Sequence, residues 1–147
     1  MNVYYDTGVL LPLYVEEAFS AVVSRIVEER AEPIALNQMQ ETEFGNAVRL
    51  KVFRRELSTA RAREIMRACD EDIRMGRLIR RPVNWGQVFD ETRRLSECVT
   101  VKTGCRTLDL VHVAIAMKWG CDHFVSADVR QLKAARLAGL KVLDVSV

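Results

Sequence analysis

No two of the four cysteines, at positions 69, 98, 105 and 121, form a C-x-x-C pair, and only two histidines are present. A zinc site needs clustered thiolates and imidazoles, and neither the spacing nor the supply is here. The cysteines also outline no disulfide framework, so reduced thiols in a cytoplasmic protein are the expectation. Long hydrophobic runs are missing too. The longest, Gly8 to Val15, is broken by Pro12 and falls far short of the ~20 residues that cross a bilayer. No basic stretch leads into an apolar one at the start, because Asp6 arrives almost at once, so no secretory leader and no membrane association are expected. Internal repeats, low-complexity tracts and linkers are likewise absent.

What is present fits one domain spanning residues 1–147, long enough to bury a sizeable core. The apolar fraction is 49% and the charged fraction 29%, as in ordinary globular proteins. The net charge of +2 conceals an uneven distribution. Residues 1–48 carry eight acids and two bases, residues 49–81 eleven bases and five acids, and residues 82–147 nine bases and seven acids. A strongly basic middle suits a polyanionic partner, although arginine also serves solvated helices well.

Hydrophobic periodicity gives the element order. Residues 2–5 read as a buried strand, Val9–Tyr14 as a short helix and Glu16–Arg30 as an amphipathic one. Pro33–Leu36 is a second short strand. Asn37 caps a helix over 38–56, and Ser58 caps another that runs to about Gly76. Leu78–Asn84 is a connector with room for a brief strand, and Trp85–Val101 is helical in pattern. Lys102–Arg106 is a loop, and Thr107 caps a helix over Leu108–Trp119 with Gly120 at its C′ position. His123–Ser126 is a strand, Val129–Ala138 a helix, and Lys141–Val145 a last strand. Strands alternate with helices and no hairpin signal joins them, which is an α/β pattern with a mainly parallel sheet.

Four acids stand out against this frame. Asp6 and Asp128 follow strands, at the carboxyl ends where open parallel sheets bind ligands. Glu43 lies on a helix with Asn46 one turn on, and Asp109 sits in the first turn of the most apolar helix in the chain. Each has an ordinary structural use: Asp6 and Asp128 as helix caps, Asp109 as a favourable charge at a helix N-terminus, Glu43 as a solvated residue. Together they could line one cleft. Clustered carboxylates repel unless a cation joins them, and oxygen-only ligands select Mg²⁺ or Mn²⁺ over zinc. Such an ion lowers the pKa of a bound water and neutralises charge on a phosphate.

The segments "VYYDTGVLLPLYVEE", "ETEFGNAV", "TLDLVHVAIA" and "FVSADVRQLKAARLAGLKVLDV" resemble, in order and spacing, the four acidic motifs of PIN-domain ribonucleases, and most of all the VapC toxins of bacterial and archaeal toxin–antitoxin pairs. The resemblance implies a three-layer α/β/α fold around a mainly parallel sheet. It implies a Mg²⁺- or Mn²⁺-dependent endoribonuclease that leaves a 5′-phosphate and a 3′-hydroxyl, with Asp6, Glu43, Asp109 and Asp128 as catalytic, metal-binding acids. Thr7 and Ser126 match the small hydroxyl positions near the family's site, and Asn46 a frequent polar neighbour of the helix glutamate. A homodimer and a cognate VapB-type antitoxin are implied as well, with Leu10, Leu11, Leu13, Tyr14 and Phe19 as antitoxin contacts or plain core. Gly8 is a departure, since the family usually has Ser or Asn there. Among the basic residues, Arg49, Arg54, Arg55, Arg61, Arg80 and Arg81 are the candidates to grip RNA phosphates.

Two other readings of the first acid fail on context. An aspartic protease needs two Asp-Thr-Gly turns in a β-rich fold, and a dehalogenase-like phosphatase needs a second Asp where this chain has Gly8. The remaining alternative is a non-catalytic PIN-like module that binds RNA or protein. His112 shares a helix face with Asp109, and a core imidazole that hydrogen-bonds inside or orients Asp109 is favoured over a catalytic base.

Overall fold

The computed structural model describes residues 2–147. In chain order the elements are β1 (Val3–Tyr5), α1 (Thr7–Leu10), a 3-10 turn (Leu11–Leu13), α2 (Ser20–Arg30), β2 (Ile34–Leu36), α3 (Gln38–Phe53), α4 (Thr59–Arg74) and β3 (Leu78–Arg80). There follow α5 (Trp85–Leu95), a π-helical turn (Ser96–Thr100), α6 (Val101–Thr103), α7 (Thr107–Lys118), β4 (His123–Ser126), α8 (Val129–Leu137) and β5 (Lys141–Asp144). The architecture is mixed α/β, and the strand pairings among the described residues are all parallel. No helix among these residues is long and apolar enough to cross a membrane.

The chain divides into two compact units: residues 2–6 with 82–147, and residues 7–81. The first unit holds a three-stranded sheet in the order β1-β4-β5, with Tyr5 opposite Val125 and Ser126 opposite Asp144. Val3, Tyr4 and Tyr5 are all buried, as are Phe124, Val125 and Ser126. A parallel strand covered on both faces gives such an unbroken apolar run rather than an alternating one. α7 packs against α5 and α8, and every residue from Leu110 to Ala116 is buried. Tyr4 stacks on Phe124 at 5.4 Å between ring centroids and meets Trp119 at 5.7 Å.

The second unit pairs β2 with β3, Ile34 opposite Leu78 and Leu36 opposite Arg80, so the connector does contain a strand. α3 and α4 pack on one another across the turn at residues 54–58. Asn37 and Gln40 form a reciprocal capping box at the start of α3: Gln40 N–H donates to Asn37 Oδ1 at 2.9 Å, and Asn37 N–H donates to Gln40 Oε1 at 2.8 Å.

Several expected boundaries move. The Val9–Tyr14 helix is instead α1 followed by a 3-10 turn, with Pro12, which has no N–H to give, in the first positions of that turn. α2 begins at Ser20 rather than Glu16, because the Ser20 hydroxyl accepts from Glu17 N–H and donates to Pro12 O, closing a turn ahead of the helix. α3 stops at Phe53, three residues early, because Arg55 takes a left-handed conformation at φ 61°. The helix from Trp85 ends at Leu95 and passes through the π-helical turn into α6, which reaches Thr103 inside the expected loop. Thr107 is not a cap: it is the first residue of α7, Arg106 holds the N-cap position, and no side chain caps that end. Gly120 stands where expected, with φ 72°; its N–H donates to Met117 O and that of Cys121 to Ala116 O, the paired bonds of a Schellman ending.

Candidate functional site

In the first unit the backbone ladder carries Asp6 to the carboxyl end of the sheet. Asp6 N–H donates to Val125 O at 3.0 Å, extending the β1–β4 pairing by one residue. Ser126, the last residue of β4, therefore comes beside Asp6. Its hydroxyl lies 3.4 Å from Asp6 Oδ2 and 2.8 Å from Gln131 Oε1, and it accepts from Asp128 N–H at 3.0 Å. A hydroxyl has one proton, and the shorter contact takes it, so Gln131 Oε1 is the acceptor. Gln131 in turn donates through Nε2 to the Asp109 carbonyl at 3.2 Å. Ser126 and Gln131 are both fully buried, while the carboxylates of Asp6 and Asp109 keep 17% and 25% of their surface in contact with solvent.

Asp109 and Asp128 are thus tied through their backbone groups to one buried Ser126–Gln131 pair, and Asp6 stands beside it. Asp128 also serves as the N-cap of α8, its Oδ1 accepting from Arg130 N–H and Gln131 N–H. Arg106 Nε reaches Asp109 Oδ2 at 3.4 Å across an exposed (i, i+3) pair. Burial, and then the carboxylates of Asp109 and Asp128, push the Cys105 thiol up to about 11. Sequence reading does not single out Gln131. Its only signal is a polar residue at the inward position of the first turn after Asp128.

His112 is buried and faces Asp6 rather than Asp109. Its Nδ1 lies 2.7 Å from Tyr4 Oη, and its Nε2 lies 3.7 Å from Asp6 Oδ1. The expected core hydrogen bond is present, with Tyr4 as the partner.

Glu43 lies in the second unit, half-buried on α3. Thr7, at the start of α1, donates its hydroxyl to Glu43 Oε1 at 2.9 Å. The two hydroxyls singled out from sequence, Thr7 and Ser126, each stand beside a candidate acid. Asn46 is exposed. Glu41, the neighbouring acid, pairs with Arg80, whose Nε and Nη2 both reach its Oε1.

The acids supply only oxygen donors, the kind a hard divalent cation takes. In position, no group of three or more His, Cys, Asp or Glu side chains among the described residues is gathered so as to hold a metal.

The candidate RNA-gripping arginines differ in their surroundings. Arg61 is paired with Glu64 and Arg80 with Glu41. Arg81 is half-buried, its N–H donating to Leu36 O. Arg49, Arg54 and Arg55 are exposed and enter no ion pair among the described residues. Of the candidate partner contacts, Leu10 and Leu11 are buried, Leu13 and Phe19 half-buried, and Tyr14 donates its hydroxyl to Asp72. No family model matches this chain, and no curated protein matches it in sequence.

Proposed function

We propose that the protein is a metal-dependent endoribonuclease of the PIN-like, VapC kind: one three-layer α/β/α domain over residues 1–147, cytoplasmic, dimeric, and neutralised by a VapB-type antitoxin. One observation carries the reading. Asp6 follows β1 and stands beside Ser126 at the end of β4, and the backbones of Asp109 and Asp128 bond the same buried Ser126–Gln131 pair. Acids far apart in sequence stand around one buried polar pair at the carboxyl end of a parallel sheet, where α/β folds bind ligands.

In this reading Asp6, Glu43, Asp109 and Asp128 would hold Mg²⁺ or Mn²⁺, which supplies water activation and neutralises phosphate charge. The chain's own residues set the site's shape. Ser126 and Gln131 hold the backbone of Asp128 and Asp109 in place beside Asp6, and Thr7 donates to Glu43. The exposed arginines Arg49, Arg54 and Arg55 are those with charge to spare for RNA phosphates.

The test is cleavage of a structured RNA panel with Mg²⁺ or Mn²⁺, with and without chelator, by the wild type and Asp6→Asn. Metal-dependent cutting that the substitution abolishes, with 5′-phosphate products, is expected. Equal cutting by both proteins, or products ending in a 2′,3′-cyclic phosphate, would refute the reading. A second reading, a PIN-like module that binds RNA or protein without cutting, is favoured by one feature: Asp128 Oδ1 is already taken by the cap of α8. RNA binding without cleavage under any metal would select it.

A further inference from the structure

A groove of about 530 Å³ runs between α3 and α4 in the second unit. Its apolar lining comes from Val48 and Val52 on one helix and Ala62 and Met66 on the other. Arg49, Arg63 and Arg67 also line it, all three exposed and in no ion pair among the described residues. The only acid in the lining is Asp70. Gly45 helps to shape it. A Cβ there would come within 2.9 Å of Arg49 Nη1 and 3.8 Å of Met66 Cε, so the missing side chain lets the Arg49 guanidinium lie against α3 close to Met66.

We propose that this groove docks an acidic amphipathic helix of a partner protein. A trough between two packed helices is shaped for a third helix, which would lay its apolar stripe on Val48, Val52, Ala62 and Met66. The charges decide which helix. Three unneutralised guanidiniums beside an apolar strip favour carboxylates flanking the stripe, and guanidinium pairs carboxylate through two parallel hydrogen bonds. RNA suits the groove less well. Single-stranded nucleic acid is held on aromatic platforms, and no aromatic residue lines this one. An aliphatic floor offers nothing to a phosphate. The inference does not rest on the nuclease reading: Arg49 is also a candidate RNA contact there, but Arg63 and Arg67 give the groove its charge without it.

The experiment is selection from a displayed library of random 18-residue helices against the whole wild-type protein. Enriched peptides are then measured by fluorescence anisotropy. Sequences with Leu, Ile or Met at i, i+3 or i+4 and i+7, flanked by Asp and Glu, are expected. Their affinity should fall at least tenfold against the triple variant R49E/R63E/R67E, and a peptide with Lys in place of its acids should recover binding to that variant. These arginines are exposed, and circular dichroism of the variant verifies its fold. Met66→Glu, which alters only the apolar strip, should weaken the same peptides. Enrichment without acids, or equal affinity for the triple variant, would overturn the proposal. So would displacement of the peptides by a uridine 12-mer at matching concentration, which would give the groove to RNA. Self-association that the triple variant abolishes would give it to a second copy of the chain and overturn the proposal as well.

Discussion

Tyr4 Oη stands 2.7 Å from His112 Nδ1, and both side chains are buried to within 1% of their surface. The pair joins β1 to α7 across 108 residues of sequence, and its far nitrogen points at Asp6, 3.7 Å away. Tyr4 precedes Asp6 by two residues, so one strand positions both ends of this line. Tyr4→Phe keeps the ring that stacks on Phe124 and removes only the hydroxyl opposite a buried nitrogen. It should cost ~1–3 kcal/mol of unfolding free energy. Urea denaturation measures the loss, and a midpoint equal to wild type would mean the hydrogen bond is not made.

Asp128 has two separable duties, and two substitutions divide them. Asparagine caps a helix about as well as aspartate, so Asp128→Asn should leave thermal stability close to wild type. Alanine removes the cap, and Asp128→Ala should lose ~1 kcal/mol. In the nuclease reading both variants lose metal-dependent cleavage, because both lose the charge. Full activity in Asp128→Asn would reduce Asp128 to a cap.

Arg55 takes φ 61° just after α3, the conformation that glycine adopts at little cost. Its N–H donates to Val52 O and that of Glu56 to Lys51 O, the same ending that Gly120 gives α7. Arg55→Gly should therefore stabilise the fold by ~0.5–1 kcal/mol, offset in part by a more flexible unfolded chain. A shift of the thermal midpoint to lower temperature would contradict this.

Burial, and then nearby carboxylates, push both Cys69 and Cys105 up to about 11. For Cys69 the carboxylates are Asp70, Asp72 and Glu41, in that order. A thiol ionises near 9 when the chain is unfolded, so between 9 and 11 the folded state holds protons that the unfolded state has released. Stability is then full below pH 9 and declines as pH rises through 11, by at most ~2.7 kcal/mol per thiol. Urea midpoints at pH 8 and 10.5 check the sign, and Cys69→Ser and Cys105→Ser should each flatten the decline. At pH 8 iodoacetamide should label Cys98, the exposed cysteine, and spare the other three, which are buried.

Local chemistry was legible wherever a residue acts on its own neighbours. Asn37, Ser58 and Asp128 cap the helices that their positions announce, and Gly120 ends α7 where the pattern stops. The continuous apolar runs at Val3–Tyr5 and His123–Ser126 announce buried parallel strands, which pair. The ends of α3 and of the helix after Trp85 were not legible. Arg55 carries no breaker signal, and a π-helical turn leaves the helical periodicity nearly intact.

By itself the sequence determined the class of the fold, the order of its elements and which acids stand at strand ends and helix starts. Those follow from periodicity and capping, which act over a few residues. Only the tertiary structure decided that Ser126 comes beside Asp6 while Gln131 reaches the Asp109 carbonyl, that His112 turns to Tyr4 and Asp6, and that three arginines flank an apolar groove. These relations join residues as much as 120 positions apart, and strand register and helix packing set them, neither of which any short stretch of chain encodes.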